Sequence, residues 1–393
     1  MNNFEFYSPT KVIFGKGVDR NAGVEIKACG GTRVLIHFGG SSAKKSGLLD
    51  RVEASLKAVG IEYITLGGVV PNPRLSLVHE GIELCRKEGV DFIIAVGGGS
   101  VIDSSKAIAL GAKYDGEVWD FYDGIAEPKN TLPTANILTL AASGSETSKN
   151  TVITNENGWI KKGYGNSMCR PRFTMMNPEL TYTLPAYQTA CGIVDIMMHT
   201  LERYFSPGGC NEMTDRIAED VLKTVVQFGR IAMKDPMNYV ARSEVMWAGS
   251  LSHNDLTGLG RAGDWASHQL EHELGGYYDV AHGAGLASVW GAWARYVFKA
   301  DVMRFARYGV NVWGLAMNYD NPEETALEAI RVTEEYFTSI GMPVTIKELL
   351  GKEISDEVIA ELAQKCTYFG KRKIGSFVVL DKPQIIDIYT SVR

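Results

Sequence analysis

Apolar and polar positions follow two different regimes along the chain. Up to about residue 184, short apolar runs alternate with amphipathic stretches and glycine-rich turns. Arg33–Phe38 (RVLIHF), Glu62–Leu66, Phe92–Val96 (FIIAV) and Asn136–Leu140 read as strands. Ser46–Val59, Leu75–Glu88 and the stretch from Ser100 to about Leu110 read as helices, and Lys11–Phe14 as an edge strand. Strands and helices in strict alternation predict βαβ units and a parallel sheet. After Leu184-Pro185 the period becomes helical: Ala186–Phe205, Met213–Met233, Tyr239–His253, Asp264–Leu274, Gly283–Tyr296, Asp301–Val312 and Glu323–Ile340. Pro207-Gly208-Gly209, Asp235-Pro236 and Gly275-Gly276 separate them. The expectation is an α/β domain over residues 1–184 and an all-helical domain over 185–393, with a ligand site between the two.

Composition narrows the function classes. A length of 393 residues suits two domains, and 45% apolar with 22% charged residues is an ordinary globular balance. A net charge of -6 argues against nucleic acid or an anionic membrane as the main partner. No apolar run approaches the ~18–20 residues that span a bilayer. The opening MNNFEFYSPTKVIFGKG lacks the charged and apolar regions of a secretory signal, so a cytoplasmic location is expected. Cys29, Cys85, Cys169, Cys191, Cys210 and Cys366 form no close pair and read as reduced, buried thiols. Any metal must then be held by histidine and carboxylate.

The most informative segment of the first half is FIIAVGGGSVIDSSKAIAL. A buried strand runs into Gly97-Gly98-Gly99-Ser100 and then a helix, which brings free backbone N–H groups and a positive helix end to an anion such as a pyrophosphate. The turn is not GxGxxG, and a tight strand–helix turn needs glycine even with no ligand. After the first strand, Gly39-Gly40-Ser41-Ser42 carries no carboxylate for a ribose 2′-OH, and Lys44 and Lys45 follow. That composition suits a 2′-phosphate, hence NADP(H) over NAD, although a basic turn is also ordinary solvated surface.

The second half holds a constellation of metal-ligand type. Asp195 and His199 lie at i and i+4 in GIVDIMMHTLERYF and share a helix face; His268, His272 and His282 follow in DWASHQLEHELGGYYDVAHGAG. Of the seven histidines, these four fall in segments that can converge, with His37, His79 and His253 elsewhere. Carboxylate with imidazole suits Zn²⁺ or Fe²⁺. The bland readings are a surface i,i+4 pair and core histidines. HQLEH also has the form of an inverted zinc-protease motif, with His268 and His272 as ligands and Glu271 as base.

Taken together, SPTKVIFGKG, PNP at Pro71–Pro73, GGGSVIDSSKAIA, LTLAASGSE at Leu138–Glu146, NPELTYTLP at Asn177–Pro185, GIVDIMMHTLE and DWASHQLEHEL resemble the iron-containing (group III) alcohol dehydrogenases. Within that family they are similar to the NADPH-dependent butanol dehydrogenase-like aldehyde reductases, and the resemblance spans nearly the whole chain. It implies a Rossmann-like dinucleotide domain plus a helical metal-binding domain, the dehydroquinate synthase-like architecture. The implied metal ligands are Asp195, His199, His268 and His282, with His272 beside the metal as a candidate proton relay. The implied cofactor residues are Gly39, Gly40, Ser41, Asn72, Gly97, Gly98, Gly99, Ser100, Asp103, Thr139, Ser143, Ser145, Leu180, and Lys161 or its neighbour Lys162, with spacing to Pro171 favouring Lys161. Ser143 stands where the family commonly has Thr, and Asn177 where it commonly has Asp, which leaves the role of Asn177 open. The implied activity is hydride exchange between a nicotinamide and a short primary alcohol or aldehyde in a homodimer. A polyol dehydrogenase, a lyase on the same architecture and a nucleotide-binding protein without turnover are the alternatives.

Overall fold

A computed structural model describes residues 2–209 and 211–393, so Cys210 lies outside the described residues. The chain divides into two compact units. One is Tyr7–Leu184; the other is Pro185–Arg393 with the residues up to Phe6. The start of the chain groups with the helical unit, where Asn2 N donates to Gly260 O at 3.2 Å, although the sequence division had set it with the sheet.

In the first unit the strands are β1 (Lys11–Phe14), β2 (Arg33–Phe38), β3 (Glu62–Leu66), β4 (Phe92–Gly97), β5 (Thr134–Leu138), β6 (Asn150–Asn155), β7 (Ile160–Gly165) and β8 (Phe173–Met176). Six form one sheet in the order β1-β8-β5-β4-β2-β3, and all five pairings are parallel. β6 and β7 make a separate antiparallel ladder. Both faces of the main sheet are covered, which is why its strands read as unbroken apolar runs. Along β4 the side chains alternate: Phe92, Ile94 and Val96 pack with Ala22, Ile26, Val52 and Leu56, while Ile93 packs on the other face with Val78, Ile82 and Ile108. From β2 the chain moves outward to β3, then crosses back to β4 on the other side of β2. β2 and β4 therefore flank the topological switch point, and their C-terminal turns are the two glycine-rich turns.

The ladder β6–β7 and strand β8 were not predicted. KKGYG is too polar and glycine-rich to signal a strand, and FTMM is only four residues. The predicted edge strand is β1, at the end of the sheet.

One buried histidine ties β2 to its neighbours. His37 Nδ1 donates to Leu66 O at 2.8 Å, so the neutral ring accepts from Ser104 Oγ at 2.9 Å through Nε2. Burial pushes its pKa down to about 4. The folded state thus holds fewer protons than the unfolded chain below pH ~6.5, and stability falls as pH drops from there toward 4. The expected slope from this residue is about 1.4 kcal/mol per pH unit, roughly 3 kcal/mol in all. Denaturant unfolding of wild type and His37→Gln across that range checks it: the slope difference should vanish above pH 7.

The second unit is built on the helix Ala186–Tyr204, whose residues from Thr189 onward are buried almost all round except Cys191, as expected of a central helix. The helices Glu212–Lys234, Tyr239–His253, Ala266–Tyr278 and His282–Val297 pack against it. Pro322–Ser339 is a further long helix. The predicted Asp301–Val312 helix is Val302–Tyr308 followed by a π-turn, Gly309–Trp313, that ends at left-handed Gly314. Short C-terminal helices at Ile346–Leu350, Asp356–Cys366 and Lys382–Thr390 were not predicted. A buried ion-pair cluster braces the unit: Arg304 takes both oxygens of Asp215 at 2.6 and 2.7 Å, and Arg261 joins at 3.0 Å. Among the described residues no helix is long and apolar enough to cross a membrane.

Candidate metal and dinucleotide sites

Three elements of the helical unit converge. Asp195 and His199 lie one turn apart on the central helix, His268 sits in the first turn of Ala266–Tyr278, and His282 opens His282–Val297. Gly283 allows the first and last helices of that set to meet. A Cβ there would stand 2.1 Å from Cys191 O, so only glycine lets His282–Val297 lie directly on the backbone of the central helix. His282 Nε2 then comes 3.6 Å from Asp195 Oδ1, and His268 Nε2 comes 4.0 Å from the same oxygen. One ligand atom each from Asp195, His268 and His282 lie within 4.8 Å of one another.

His199 approaches the same oxygen from one turn along the central helix. Its Nδ1 is 3.4 Å from Asp195 Oδ1 and its ring centroid is 4.7 Å from that of His268. The His272 ring lies 6.5 Å from His268 and 5.9 Å from His282 and is not part of the cluster. The inverted-protease reading loses its geometry here, because Glu271 is buried and hydrogen-bonded to His282 Nδ1. Asp195, His199 and His268 are each about 5% exposed or less, while the His282 side chain is 26% exposed and marks the open side.

Four residues beside the cluster take places that the sequence did not assign to them. Glu202 Oε1 accepts from His268 Nδ1 at 2.8 Å, and Glu271 accepts from His282 Nδ1. His253, set apart in the sequence reading, packs on His199 with ring centroids 4.0 Å apart. Buried Arg203 donates to His199 O at 2.7 Å and to His253 Nδ1 at 3.3 Å, with its guanidinium over the Trp265 ring. A signal for Glu202 was present: Asp195, His199 and Glu202 follow i, i+4, i+7 on one helix face.

The donor set fits a divalent cation. His199 Nδ1, His268 Nε2 and Glu202 Oε2 are buried without a hydrogen-bond partner. Such orphans each cost about 1–3 kcal/mol unless something else satisfies them. Burial first, then His253, His268, Arg203 and His282, holds the His199 ring well below its usual pKa and so neutral. Imidazole and carboxylate without thiolate suit iron or zinc.

The sheet unit carries the second site. β4 leads through Gly98 into the helix Gly99–Ala112, whose N-terminus has no capping side chain and no acidic residue in its first turn. Gly97, Gly98, Gly99 and Ser100 thus present an uncompensated positive helix end. A Cβ on Gly99 would lie 2.2 Å from Ser143 Oγ, so glycine there lets the 139–148 loop close over the turn. Thr139 N donates to Gly97 O at 3.1 Å.

Lys106, fully buried and unnoticed in the sequence, holds that loop. Its Nζ donates to Ser145 O at 2.7 Å, Ser145 Oγ at 2.9 Å, Ser148 O at 3.0 Å and Asn150 O at 2.8 Å. Burial lowers its pKa while Asp103 acts against that. Asp103 accepts from Ser145 Oγ at 2.5 Å and from Val152 N at 2.9 Å, so both residues are engaged within the loop. A lone lysine in a helix whose other residues, Asp103 apart, are small or apolar was the available signal.

Gly39, Gly40 and Ser41 sit at the end of β2, with Lys44 and Lys45 exposed just beyond. Asn72 is buried in the left-handed region (φ 54°), and its carbonyl accepts from Arg74 Nη1 at 2.8 Å. Lys161 is buried on β7, whereas Lys162 pairs with Asp123 at 2.5 Å. Leu180 packs partly buried against the sheet core. Asn177 acquires a role: its Nδ2 donates to buried Asp19 at 2.9 Å, where a second carboxylate would repel, and its Oδ1 caps Glu179 N.

A parallel dinucleotide-type sheet in one unit and a carboxylate–histidine cluster in the other fit the class of metal-dependent dehydrogenases, and comparison with known proteins specifies the family. Residues 9–178 match the iron-containing alcohol dehydrogenases and residues 189–392 match the C-terminal part of the same family. The chain belongs to the iron-containing alcohol dehydrogenase family. It is 43% identical over 390 residues to the NADH-dependent butanol dehydrogenase A of Clostridium acetobutylicum, covering 99% of each chain. It is 36% identical to the NADPH-dependent aldehyde reductase YqhD of Escherichia coli, covering 95% of each. The crystal structure of NADH-dependent butanol dehydrogenase A from Thermotoga maritima superposes with a TM-score of 0.95 at 37% identity, covering 100% of this chain and 99% of that one.

Proposed function

We propose that this protein is an NADP(H)-dependent alcohol dehydrogenase and aldehyde reductase for short primary alcohols such as butanol, with Asp195, His199, His268 and His282 holding one Fe²⁺ or Zn²⁺. The observation that carries the reading is the convergence of Asp195, His268 and His282, with buried unpartnered nitrogens on His199 and His268. When bound, the ion supplies Lewis acidity at the alcohol or carbonyl oxygen and the nicotinamide supplies or takes the hydride. Trp265, 5.3 Å from His268 and 6.2 Å from His199 between ring centroids, provides an aromatic wall that suits an alkyl chain over a polyol. His272, its ring 5.9 Å from that of His282, is the candidate in this reading for exchanging a proton with the substrate oxygen. The helix end at Gly98–Ser100 takes the pyrophosphate, and the loop held by Lys106 closes beside it.

NADPH preference rests on the turn after β2, which lacks a carboxylate and carries Lys44 and Lys45. The 43% identity to an NADH-dependent relative favours the opposite preference, so the two cofactors are compared directly. Butanal reduction followed with NADPH and NADH, before and after chelation and metal add-back, is the test. Turnover that chelation abolishes and metal restores supports the reading; turnover that ignores chelation ends it. The Lys44→Glu/Lys45→Glu double variant should lose about tenfold or more in kcat/KM with NADPH, from lost charge-assisted contacts, and little with NADH. β1, an edge strand, is the element we expect to pair between two copies in a homodimer, which light scattering of the purified protein checks.

A further inference from the structure

Each of two metal-site histidines is gripped from behind by a buried glutamate. His268 donates from Nδ1 to Glu202 Oε1 at 2.8 Å, and the same oxygen takes the His268 backbone N–H at 2.9 Å. His282 contacts Glu271 through Nδ1. Glu202 is 3% exposed and Glu271 is fully buried, so neither carboxylate answers to solvent. Room for Glu271 is made by Gly285, where a Cβ would come 2.8 Å from the Glu271 Cγ. On both rings the other nitrogen, Nε2, faces Asp195 Oδ1, at 4.0 Å for His268 and 3.6 Å for His282.

A carboxylate accepts but does not donate, so Nδ1 must carry the ring proton in each neutral imidazole. The lone pair is then on Nε2, toward Asp195. We propose that Glu202 and Glu271 are positioning residues that lock His268 and His282 into the Nδ1–H tautomer and raise the basicity of Nε2, setting how tightly the site holds a divalent cation. This rests on the metal site proposed above. The arrangement matches the general physics of carboxylate-backed histidine ligands, where losing the outer carboxylate weakens metal binding by about 10–100-fold. Three carboxylates around one pocket also supply more negative charge than the ligand Asp195 alone, and the buried, unpartnered Glu202 Oε2 is an anionic oxygen that a nearby cation compensates.

The test uses full-length protein, metal-free and Zn²⁺-loaded. Zn²⁺ affinity is measured by competition with a chromophoric chelator for wild type, E202Q, E202L, E271Q and E271L. Glutamine can still accept the Nδ1 proton but brings no charge, so a loss of about tenfold is expected; leucine removes both effects, and about 100-fold is expected. Nitrogen-15 shifts of labelled histidine in the metal-free protein should show Nδ1–H on His268 and His282 in wild type and the Gln variants, with Nε2–H appearing in the Leu variants. Thermal unfolding of the metal-free Gln variants should match wild type; a purely structural role would lower that Tm and leave Zn²⁺ affinity unchanged. Affinities within twofold of wild type in all four variants, or Nε2–H in the wild-type rings, overturn the inference. Wild type that takes up no Zn²⁺ removes the proposed function, and the tautomer measurement then still decides whether the glutamates fix the rings.

Discussion

His268→Ala is expected to lower kcat/KM for butanal reduction by about 10³–10⁴-fold. Lewis-acid stabilisation of the reacting oxygen is worth several kcal/mol, and about 1.4 kcal/mol corresponds to a factor of ten. His268 is one of the three residues whose ligand atoms gather within 4.8 Å, so its loss leaves Asp195, His199 and His282. The fold should tolerate the change, because His268 Nε2 is itself a buried orphan in the metal-free protein and its removal relieves that cost while uncovering Glu202. The two effects oppose each other, so metal-free Tm should shift little while bound metal per chain collapses. Metal content and steady-state rate measured on one preparation decide the matter. A full complement of metal with a rate within tenfold of wild type would remove His268 from the ligand set.

Gly283→Ala is expected to destabilise the protein by up to about 2 kcal/mol and to lower metal content, although Gly283 is not one of the proposed ligands. Gly283 is the second residue of its helix, where alanine gains at most the ~1 kcal/mol that it holds over glycine in a helix interior. Here its Cβ would stand 2.1 Å from Cys191 O and 2.7 Å from Cys191 Cα, both backbone atoms of the central helix. No side-chain rotation can relieve that overlap, so the helices must separate. Overpacking of this kind costs about 1–3 kcal/mol and occasionally more, which outweighs the propensity gain. Separation also carries His282 away from Asp195. Denaturant unfolding and metal analysis of Gly283→Ala check both parts, and a variant as stable as wild type with full metal content would contradict the packing argument. Gly99→Ala, which meets only the rotatable Ser143 side chain, should be the milder substitution.

The order and type of the principal elements were legible because each long element carries a single clean period. Continuous apolar runs mark β2 and β4, buried on both faces, and three-to-four-residue spacing marks the long helices. Elements without such a period escaped notice: β7 is polar and glycine-rich, β8 is four residues long, and the C-terminal helices are short. Within the metal cluster, Asp195 with His199 was legible from helical spacing, and His268 with His282 from residue type and resemblance. His253 was not, since nothing in the sequence between them says that the end of Tyr239–His253 will meet His199. Glu202 and Lys106 carried only weak signals, a shared helix face and a lone lysine, and their burial is what sets them apart from ordinary helix charges.

By itself, then, the sequence determined the two-part organisation, the glycine-rich turn after β4, and the residue types from which a metal centre could be made. Those depend on local periodicity and on chemistry carried by individual side chains. The tertiary structure decided which donors gather together, that His199, His268 and His282 all approach one oxygen of Asp195, and that two glutamates back the histidines. It also gave Asn177 and Lys106 their roles, through Asp19 and the 143–150 loop. Each of these turns on approach between segments distant in the chain, and that approach is set by backbone packing such as Gly283 on Cys191, which no local pattern encodes.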